Sequence, residues 1–145
     1  MVSVKQLLAA GGKGVIAVEP GETVYNAIGT MAAHGIGAVL VMAGNRLVGI
    51  MSERDYTRKI VLRDRSSRTT RVEEIMTADV VHVTPGNDLS DCMRTMSDHR
   101  IRHLPVVDAT GTVLGMVSIL EVLRALLDDR EHEIRDLERY IAGSA

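Results

Sequence analysis

Residues 49–55 read GIMSERD and residues 115–121 read GMVSILE, and this shared Gly-x-x-Ser-x-x-acid pattern decides the fold. The chain also repeats itself upstream, where Val18-Glu19-Pro20-Gly21 matches Val83-Thr84-Pro85-Gly86 at an offset of 65 residues. One residue is inserted near Gly111, after which the offset is 66. Because self-similarity at a constant offset marks a repeated structural unit, the chain contains two copies of a unit of about forty residues.

Each copy is predicted to fold as strand, helix, strand, strand, helix. A short apolar strand runs into a Pro-Gly turn, and a helix with apolar positions at helical spacing follows. Two nearly unbroken apolar runs then predict a pair of strands, and a second helix begins at Ser52 or Ser118. The predicted strands are residues 15–18, 38–42 and 47–51 in the first copy and residues 80–83, 104–107 and 113–117 in the second.

One such unit is too small to cover both faces of its own sheet, and pairing two copies solves this burial problem. The fold class is therefore α/β, with two β-α-β-β-α repeats paired into one compact module with pseudo-twofold symmetry. We assign residues 1–71 to the first repeat with its N-terminal segment and linker. Residues 72–145 form the second repeat with a long C-terminal helix.

The composition restricts the core and the partners. Phe and Trp are absent and Tyr occurs only three times, so aliphatic side chains must fill the interior. The scarcity of aromatic side chains argues against single-stranded nucleic acid as a partner, since such proteins stack bases on aromatic rings. Residues 53–71 hold seven basic and three acidic residues, although the whole chain has a formal net charge of −2. This segment is either a solvated surface or a short anion-binding patch.

Two features predict a cytoplasmic protein. Cys92 is the single cysteine, so no intrachain disulfide can form and a reducing compartment is the natural setting. The first residues, MVSVKQLLAAGGKG, are too short and too weakly apolar for a signal peptide or a membrane span. We therefore expect a soluble chain with neither a membrane nor a nucleic acid as its partner.

The serine of each repeated motif stands three residues before an acid, Asp55 in the first copy and Glu121 in the second. This spacing predicts a capping box at the start of each second helix. Two copies of Gly-apolar-apolar-Ser-x-x-acid closing a β-α-β-β-α unit also resemble the tandem CBS domain pair, or Bateman module, of stand-alone bacterial type. The resemblance covers nearly the whole chain. It implies a cleft between the copies that holds AMP, ADP, ATP, NAD or S-adenosylmethionine as a regulatory ligand.

The resemblance implies the ligand contacts of a first site. Asp55 accepts hydrogen bonds from the ribose hydroxyls, with Ser52 beside it, because one carboxylate can accept from two neighbouring hydroxyls. The backbone of Ile36, Gly37 and Ala38 reads the adenine edge, where small side chains leave room for a flat base. The competing interpretation of this segment is a tight helix-to-strand turn.

Phosphate is expected to meet basic side chains around this site. The candidates are Arg54, Arg58 and Lys59 on the helix after Ser52, together with Arg100 from the other copy. A solvent-exposed role is the alternative for Arg54 and Arg58, which are four residues apart on one helix face. Lys13 is a further candidate at the cleft mouth, although its glycine-rich segment lacks the spacing of a P-loop.

The second copy carries a second, weaker site at Ser118, Glu121, Arg102 and His103. Glu121 is one methylene longer than Asp55, which moves the carboxylate about 1.5 Å into the space that a ribose would use. Arg102 and His103 stand where the first copy has a glycine and an alanine. We therefore expect the first site to be the better nucleotide site.

Other chemistry finds little support in the sequence. The five histidines have no cysteine or acidic cluster beside them to complete a tetrahedral set, so no metal site is expected. Cys92 lies on the apolar face of a predicted helix and is interpreted as a small buried hydrophobe. No nucleophile, base and orienting group can be placed together, so no enzyme is expected. We therefore expect the adenine nucleotide implied by the resemblance to be a regulatory ligand and not a catalytic cofactor.

The last helix predicts a homodimer. Its apolar residues follow alternating spacings of three and four if Arg130 takes the missing position. They are Leu123, Leu127, Ile134, Leu137 and Ile141. This seam either covers its own domain or pairs with a second copy. Because the chain carries no effector domain, the regulated partner is an unknown second protein. The alternative function is an interaction or oligomerisation module that has lost nucleotide binding.

Overall fold

The computed structural model describes residues 2–11 and 14–144 and confirms two paired α/β repeats. The elements in chain order are α1 Val4–Gly11, β1 Ala17–Val18, α2 Val24–His34, β2 Ala38–Ala43, β3 Arg46–Ser52, α3 Glu53–Tyr56, a π-helical turn Thr57–Val61, α4 Val72–Ile75, α5 Leu89–His99, β4 His103–Val107, β5 Val113–Ser118 and α6 Ile119–Ser144. Helix α1 was not among the predicted elements. Helix α4 and the π-helical turn were not predicted either, whereas α2, α3, α5, α6 and the two strand pairs lie where the repeat predicts them.

The two repeats have equivalent antiparallel strand pairs. In the first, β1 runs parallel to β2, which pairs antiparallel with β3; in the second, β4 pairs antiparallel with β5. Both antiparallel pairs shift register at the same point, after Val41 in the first repeat and after Val106 in the second. A bulge kept at equivalent positions shows that the repeats share one backbone frame.

The strand expected at residues 80–83 was wrong. Only Val83 pairs there, in a parallel bridge with Val106. In the first repeat the N–H of Leu40 donates to the carbonyl of Ile16, 3.4 Å away, which extends the pairing beyond β1. Pro105 stands at the equivalent position and has no N–H to donate. The second repeat therefore lacks the parallel strand that the first repeat has.

Each sheet has its own hydrophobic core, but the packing crosses the boundary between residues 71 and 72. Val72 and Ile75 of α4 belong to the first core, although they follow the linker in sequence. Val4 of α1 belongs to the second core, against which Leu7 and Leu8 also pack. Helix α4 therefore covers the first repeat, and helix α1 covers the second. Each short helix thus packs across the pseudo-twofold axis from the elements that follow it in the chain.

Equivalent backbone hydrogen bonds hold α1 and α4 against the repeats that they cover. The N–H of Val4 donates to the carbonyl of Asn87 at 2.9 Å, and the N–H of Val72 donates to the carbonyl of Glu22 at 2.8 Å. Asn87 and Glu22 are themselves 65 residues apart, the offset of the repeat. Because each repeat depends on a segment outside itself for core and hydrogen bonds, the pair forms one structural unit.

Helix α6 begins in the core and then leaves it. Val122 is buried, and Ala125 and Leu126 pack against the second core. Residues 130–143 are all exposed, including Ile134 at 55%, Leu137 at 61% and Ile141 at 68%. The α6 residues that pack on the domain are therefore not those of the predicted seam, since Leu123 and Leu127 are also exposed. None of the helices in the described residues has the length and hydropathy needed to cross a bilayer.

Candidate functional site

A first cleft of about 290 Å³ lies between the two repeats, beside the start of α3. The sequence before residue 72 contributes Gly37, Ala38, Ile50 and residues 52–55. The sequence after it contributes Thr77, Asp79, Val80, Val81 and residues 101–103. Four residues expected at the first site, Ser52, Asp55, Gly37 and Ala38, are thus brought together in one cleft whose opposite wall comes from the other half of the chain.

The predicted capping box forms at Ser52 and Asp55. The Ser52 hydroxyl oxygen accepts from the N–H of Asp55 at 3.2 Å, and Asp55 Oδ2 accepts from the N–H of Ser52 at 2.9 Å and from its hydroxyl at 3.1 Å. Lys59 Nζ lies 3.1 Å from Asp55 Oδ1, and the Asp55 side chain is only 13% exposed. The carboxylate is therefore held in one orientation at the cleft wall, with a lysine beside it.

The described cations expected to bind phosphate do not all line the first cleft. Arg54 lines it, and its Nη1 donates to the backbone carbonyl of Arg100 at 2.7 Å. Lys59 is not free for a phosphate, because it pairs with Asp55 and donates to the carbonyl of Ile75 at 2.8 Å. The exposed side chains of Arg58 and Arg100 lie outside both clefts. A phosphate-binding role for these three cations stays a prediction, and Lys13 lies outside the described residues.

A second cleft of about 470 Å³ lies on the other side of the pseudo-twofold axis. It is lined by Gly11, Gly14, Ile16, residues 35–37, Arg102, His103, Met116, residues 118–121 and Arg124. The Ser118 hydroxyl donates to Glu121 Oε1 at 2.9 Å and accepts from the N–H of Glu121 at 3.2 Å. The four residues expected at the second site therefore line this cleft together.

Ile36 faces the second cleft and not the first. Its equivalent in the other repeat, Ile101, lines the first cleft. The chain segments that precede β2 and β4 thus lie close together near the pseudo-twofold axis. The isoleucine of each segment lines the cleft beside the second helix of the other repeat. Gly37 and Ala38 thus line the first cleft, while a backbone contact of Ile36 with the adenine edge stays a prediction.

Gly37, Arg102 and His103 line both clefts and form a shared wall between them. His103 Cε1 lies 3.4 Å from the point where a Cβ on Gly37 would sit, so the glycine leaves room for the imidazole ring. Burial lowers the pKa of His103 below its ordinary value, although the carboxylates of Glu121 and Glu53 act in the opposite direction. The neutral imidazole is thus favoured at this wall.

Several cleft residues carry no motif in the sequence. The segment with Asp79 and Val81 has no local signature, and it reaches the first cleft because α4 packs on the first repeat. Arg124 lines the second cleft, and the offset of 66 applied to Arg58 would have pointed to it. Symmetry between the repeats was therefore the signal available for Arg124.

Other reactive groups lie outside this chemistry. Burial raises the pKa of the Cys92 thiol to about 11, so the nucleophilic thiolate is scarce at neutral pH. Within residues 2–11 and 14–144, no three His, Cys, Asp or Glu side chains are grouped closely enough to hold a metal ion.

The paired repeats and the clefts between them define a tandem CBS module, and the comparisons with known proteins agree. The CBS domain family model matches residues 11–62 and 72–128, so this chain belongs to the CBS-domain family. It is 42% identical over 127 residues to the mitochondrial CBS domain-containing protein CBSX3 of Arabidopsis thaliana, which covers 84% of this chain and 61% of the plant protein. It is 32% identical to YhcV of Bacillus subtilis over 105 residues, 72% of this chain and 74% of that protein.

Solved structures show the same fold. A protein with CBS domains from Burkholderia ambifaria is 46% identical, with a TM-score of 0.85 over 88% of this chain and 96% of that one. More distant structures include protein MJ0100 with 5′-methylthioadenosine and S-adenosylmethionine, 24% identical with a TM-score of 0.79 over 89% of this chain and 98% of that one. Another is PAE2072 from Pyrobaculum aerophilum with AMP, 20% identical with a TM-score of 0.75 over 83% and 89%. At these identities the last two show the shared fold alone.

Proposed function

We propose that this CBS pair is a regulatory module that binds an adenine nucleotide, AMP, ADP, ATP or NAD, and thereby modulates a partner protein. The observation that carries the proposal is the first cleft, where residues 52–55 of one repeat face residues 101–103 of the other. A ligand held there contacts both repeats. It can therefore favour one arrangement of the repeats over another, which is the physical requirement for a regulatory signal.

The chemistry of the cleft supports an adenosine group. The oriented carboxylate of Asp55 is suited to accept from a ribose hydroxyl, in exchange for part of its interaction with Lys59. Gly37 and Ala38 leave space for a flat base, and apolar side chains such as Val81 offer it a surface. Adenosine derivatives bound to the distant fold neighbours MJ0100 and PAE2072 also support this class of ligand.

The test is calorimetric titration of the protein with adenosine, AMP, ADP, ATP, NAD and S-adenosylmethionine. Asp55→Asn keeps an acceptor for the helix cap but loses the negative charge, so we expect at least a tenfold weaker affinity for adenosine. Asp98→Asn is the control, because Asp98 is exposed on α5 and lines neither cleft. Equal affinities of wild type and Asp55→Asn would remove Asp55 from the binding site.

We also propose a homodimer formed through α6. Leu127, Ile134, Leu137 and Ile141 are each more than half exposed along one helix face, and covering them would bury apolar surface. Leu137→Glu places a charge in this face and is expected to give monomers in light scattering coupled to size-exclusion chromatography. Arg139→Glu introduces the same residue outside the face and is expected to leave the mass unchanged. Equal masses for wild type and Leu137→Glu would contradict the dimer.

The exposed face of α6 also favours the second candidate function, an interaction module without a nucleotide. A flat baseline for every compound in the titration panel would select that function. The buried and single Cys92 agrees with a reducing compartment such as the cytoplasm for either function.

A further inference from the structure

The two clefts occupy equivalent places but differ in charge and size. The first cleft measures about 290 Å³ and the second about 470 Å³. The charged residues that line the first are Glu53, Asp55, Asp79, Arg54 and Arg102. Those that line the second are Glu121, Arg102 and Arg124. Among the residues that the structure describes, carboxylates thus outnumber cations in the first cleft, while cations outnumber carboxylates in the second.

Arg124 accounts for part of this difference. Its equivalent at an offset of 66 is Arg58, which lies outside the first cleft. Helix α6 continues without interruption past Arg124, whereas α3 passes into the π-helical turn Thr57–Val61, where the N–H of Leu62 donates to the carbonyl of Thr57 at 3.0 Å. A π-helical turn contains more residues than an α-helical turn, so side chains along it leave the α-helical spacing. The same residue type therefore reaches only the second cleft.

Asp79 accounts for another part of the difference in charge between the two clefts. It lines the first cleft at a position where the second cleft has Gly14, 65 residues earlier in the chain. Arg54 gives limited compensation, because its guanidinium already donates to the carbonyl of Arg100 at 2.7 Å. A phosphate in the first cleft would meet the like charges of Asp79 and Glu53, and repulsion between like charges disfavours its binding.

We propose that the second cleft is the phosphate-selective site of this protein, with Arg124 and Arg102 as its phosphate ligands. The first cleft then binds the adenosine group without drawing affinity from a phosphate. This inference rests on the proposed function, because it assumes an adenosine ligand. For phosphorylated ligands it reverses the expectation that the first site is the better one.

The experiment compares the two equivalent arginines. Adenosine and AMP are titrated into wild type, Arg124→Gln and Arg58→Gln, and each variant is first checked for wild-type thermal unfolding. We expect Arg124→Gln to weaken AMP binding at least tenfold and to leave adenosine affinity within twofold of wild type. Arg58→Gln should match wild type for both compounds. Equal AMP affinities of the two variants, or an equal loss for adenosine and AMP, would overturn the inference.

Asp79→Gly tests the first cleft from the other direction, since it installs the residue that the second cleft has. We expect at least a threefold gain in AMP affinity at the first cleft, measured in an Arg124→Gln background where the second cleft is weakened. An unchanged AMP affinity would overturn the role of Asp79. Failure of wild type to bind any compound of the titration panel would overturn the proposed function itself, whereas AMP binding that does not depend on Arg124 overturns only the selectivity.

Discussion

The two repeats build the same turn before their second helix, but they differ in how the acid is used. Asp55 accepts from both the N–H and the hydroxyl of Ser52 and pairs with Lys59, while Glu121 accepts from the hydroxyl of Ser118. The turn itself is a matter of local hydrogen bonding, which both acids satisfy. The surroundings of each carboxylate depend on tertiary contacts, and these contacts differ between the two repeats. Duplication has thus kept the frame and changed the chemistry of the clefts.

The short helices α1 and α4 offer a second comparison. Both cross the pseudo-twofold axis with equivalent backbone hydrogen bonds, but α4 is the more deeply packed. Ile75 is 1% exposed in the first core, whereas its equivalent Leu7 is only half-buried against the second. The first repeat therefore depends more on its borrowed helix than the second does.

The largest expected effect comes from comparing Ile75→Ala in α4 with Leu7→Ala in α1. Truncating a fully buried isoleucine removes its burial and leaves a cavity, so Ile75→Ala should lower the free energy of unfolding by about 2–5 kcal/mol. Leu7→Ala should cost less, because part of the Leu7 side chain is already in water. Urea unfolding of both variants measures the difference. A greater loss for Leu7→Ala would mean that the burial of the two helices does not set their contributions.

Gly49→Ala and Gly115→Ala compare the glycines beneath the same two helices. A Cβ on Gly49 would lie 2.5 Å from Met76 Sδ and 3.1 Å from the carbonyl oxygen of Thr77. A Cβ on Gly115 would lie 3.2 Å from Leu8 Cδ2, the end of a flexible side chain. We expect Gly49→Ala to destabilise the protein by about 1–3 kcal/mol through overpacking. Gly115→Ala is expected to destabilise it mainly through backbone strain, because Gly115 has a φ of 157°. Thermal unfolding measures both losses, and relief by a smaller side chain at Met76 in Gly49→Ala alone separates the two causes.

Arg100→Gly sharpens the comparison of the two helix ends. α2 ends at Gly35 with φ of 61°, and α5 ends at Arg100 with φ of 54°. A side chain in this left-handed region is strained, and glycine removes that strain at a cost in chain entropy, so Arg100→Gly should stabilise the protein by about 0.5–1 kcal/mol. The affinity for AMP should not change, because the Arg100 side chain lies outside both clefts. Weaker AMP binding would restore Arg100 as a phosphate ligand.

His103 can take up a proton, whereas its equivalent Ala38 has no ionisable side chain. This difference gives the smallest expected effect, a change in the pH dependence of stability. Since burial lowers the pKa of His103 in the folded state, its contribution to stability is fully present above the unfolded value near 6.5. It is lost as the pH falls below that value, because the unfolded chain takes up the proton first. Wild type should therefore lose more stability than His103→Gln between about pH 7.5 and pH 5.5 in urea unfolding. Equal losses would show that His103 titrates alike in both states.

The sequence predicted the frame of the fold well because the frame depends on local patterns. The apolar runs predicted β2 to β5, and Ser52 and Ser118 predicted the starts of α3 and α6. Even the missing strand at residues 80–83 has a cause visible in the sequence, since Pro105 cannot donate the hydrogen bond that Leu40 donates.

The clefts were predicted only in part because their residues are distant in the chain. Ser52, Asp55, Gly37 and Ala38 do lie together, whereas Lys59 is held by Asp55 and a backbone carbonyl. Asp55 and Lys59 are four residues apart on one turn, so their pairing was open to prediction from spacing. The charge of the cleft was not, because it depends on which remote segments enter.

The sequence by itself determined that this protein is a duplicated α/β unit with a capped helix start in each copy, since hydrogen bonding and apolar periodicity act between residues close in the chain. Only the tertiary structure decided that α1 packs on the second repeat and α4 on the first, and that Asp79 lines the first cleft. It also decided that Arg124, but not Arg58, reaches a cleft. These contacts depend on how two surfaces pack across the pseudo-twofold axis, and no spacing within one repeat specifies that packing.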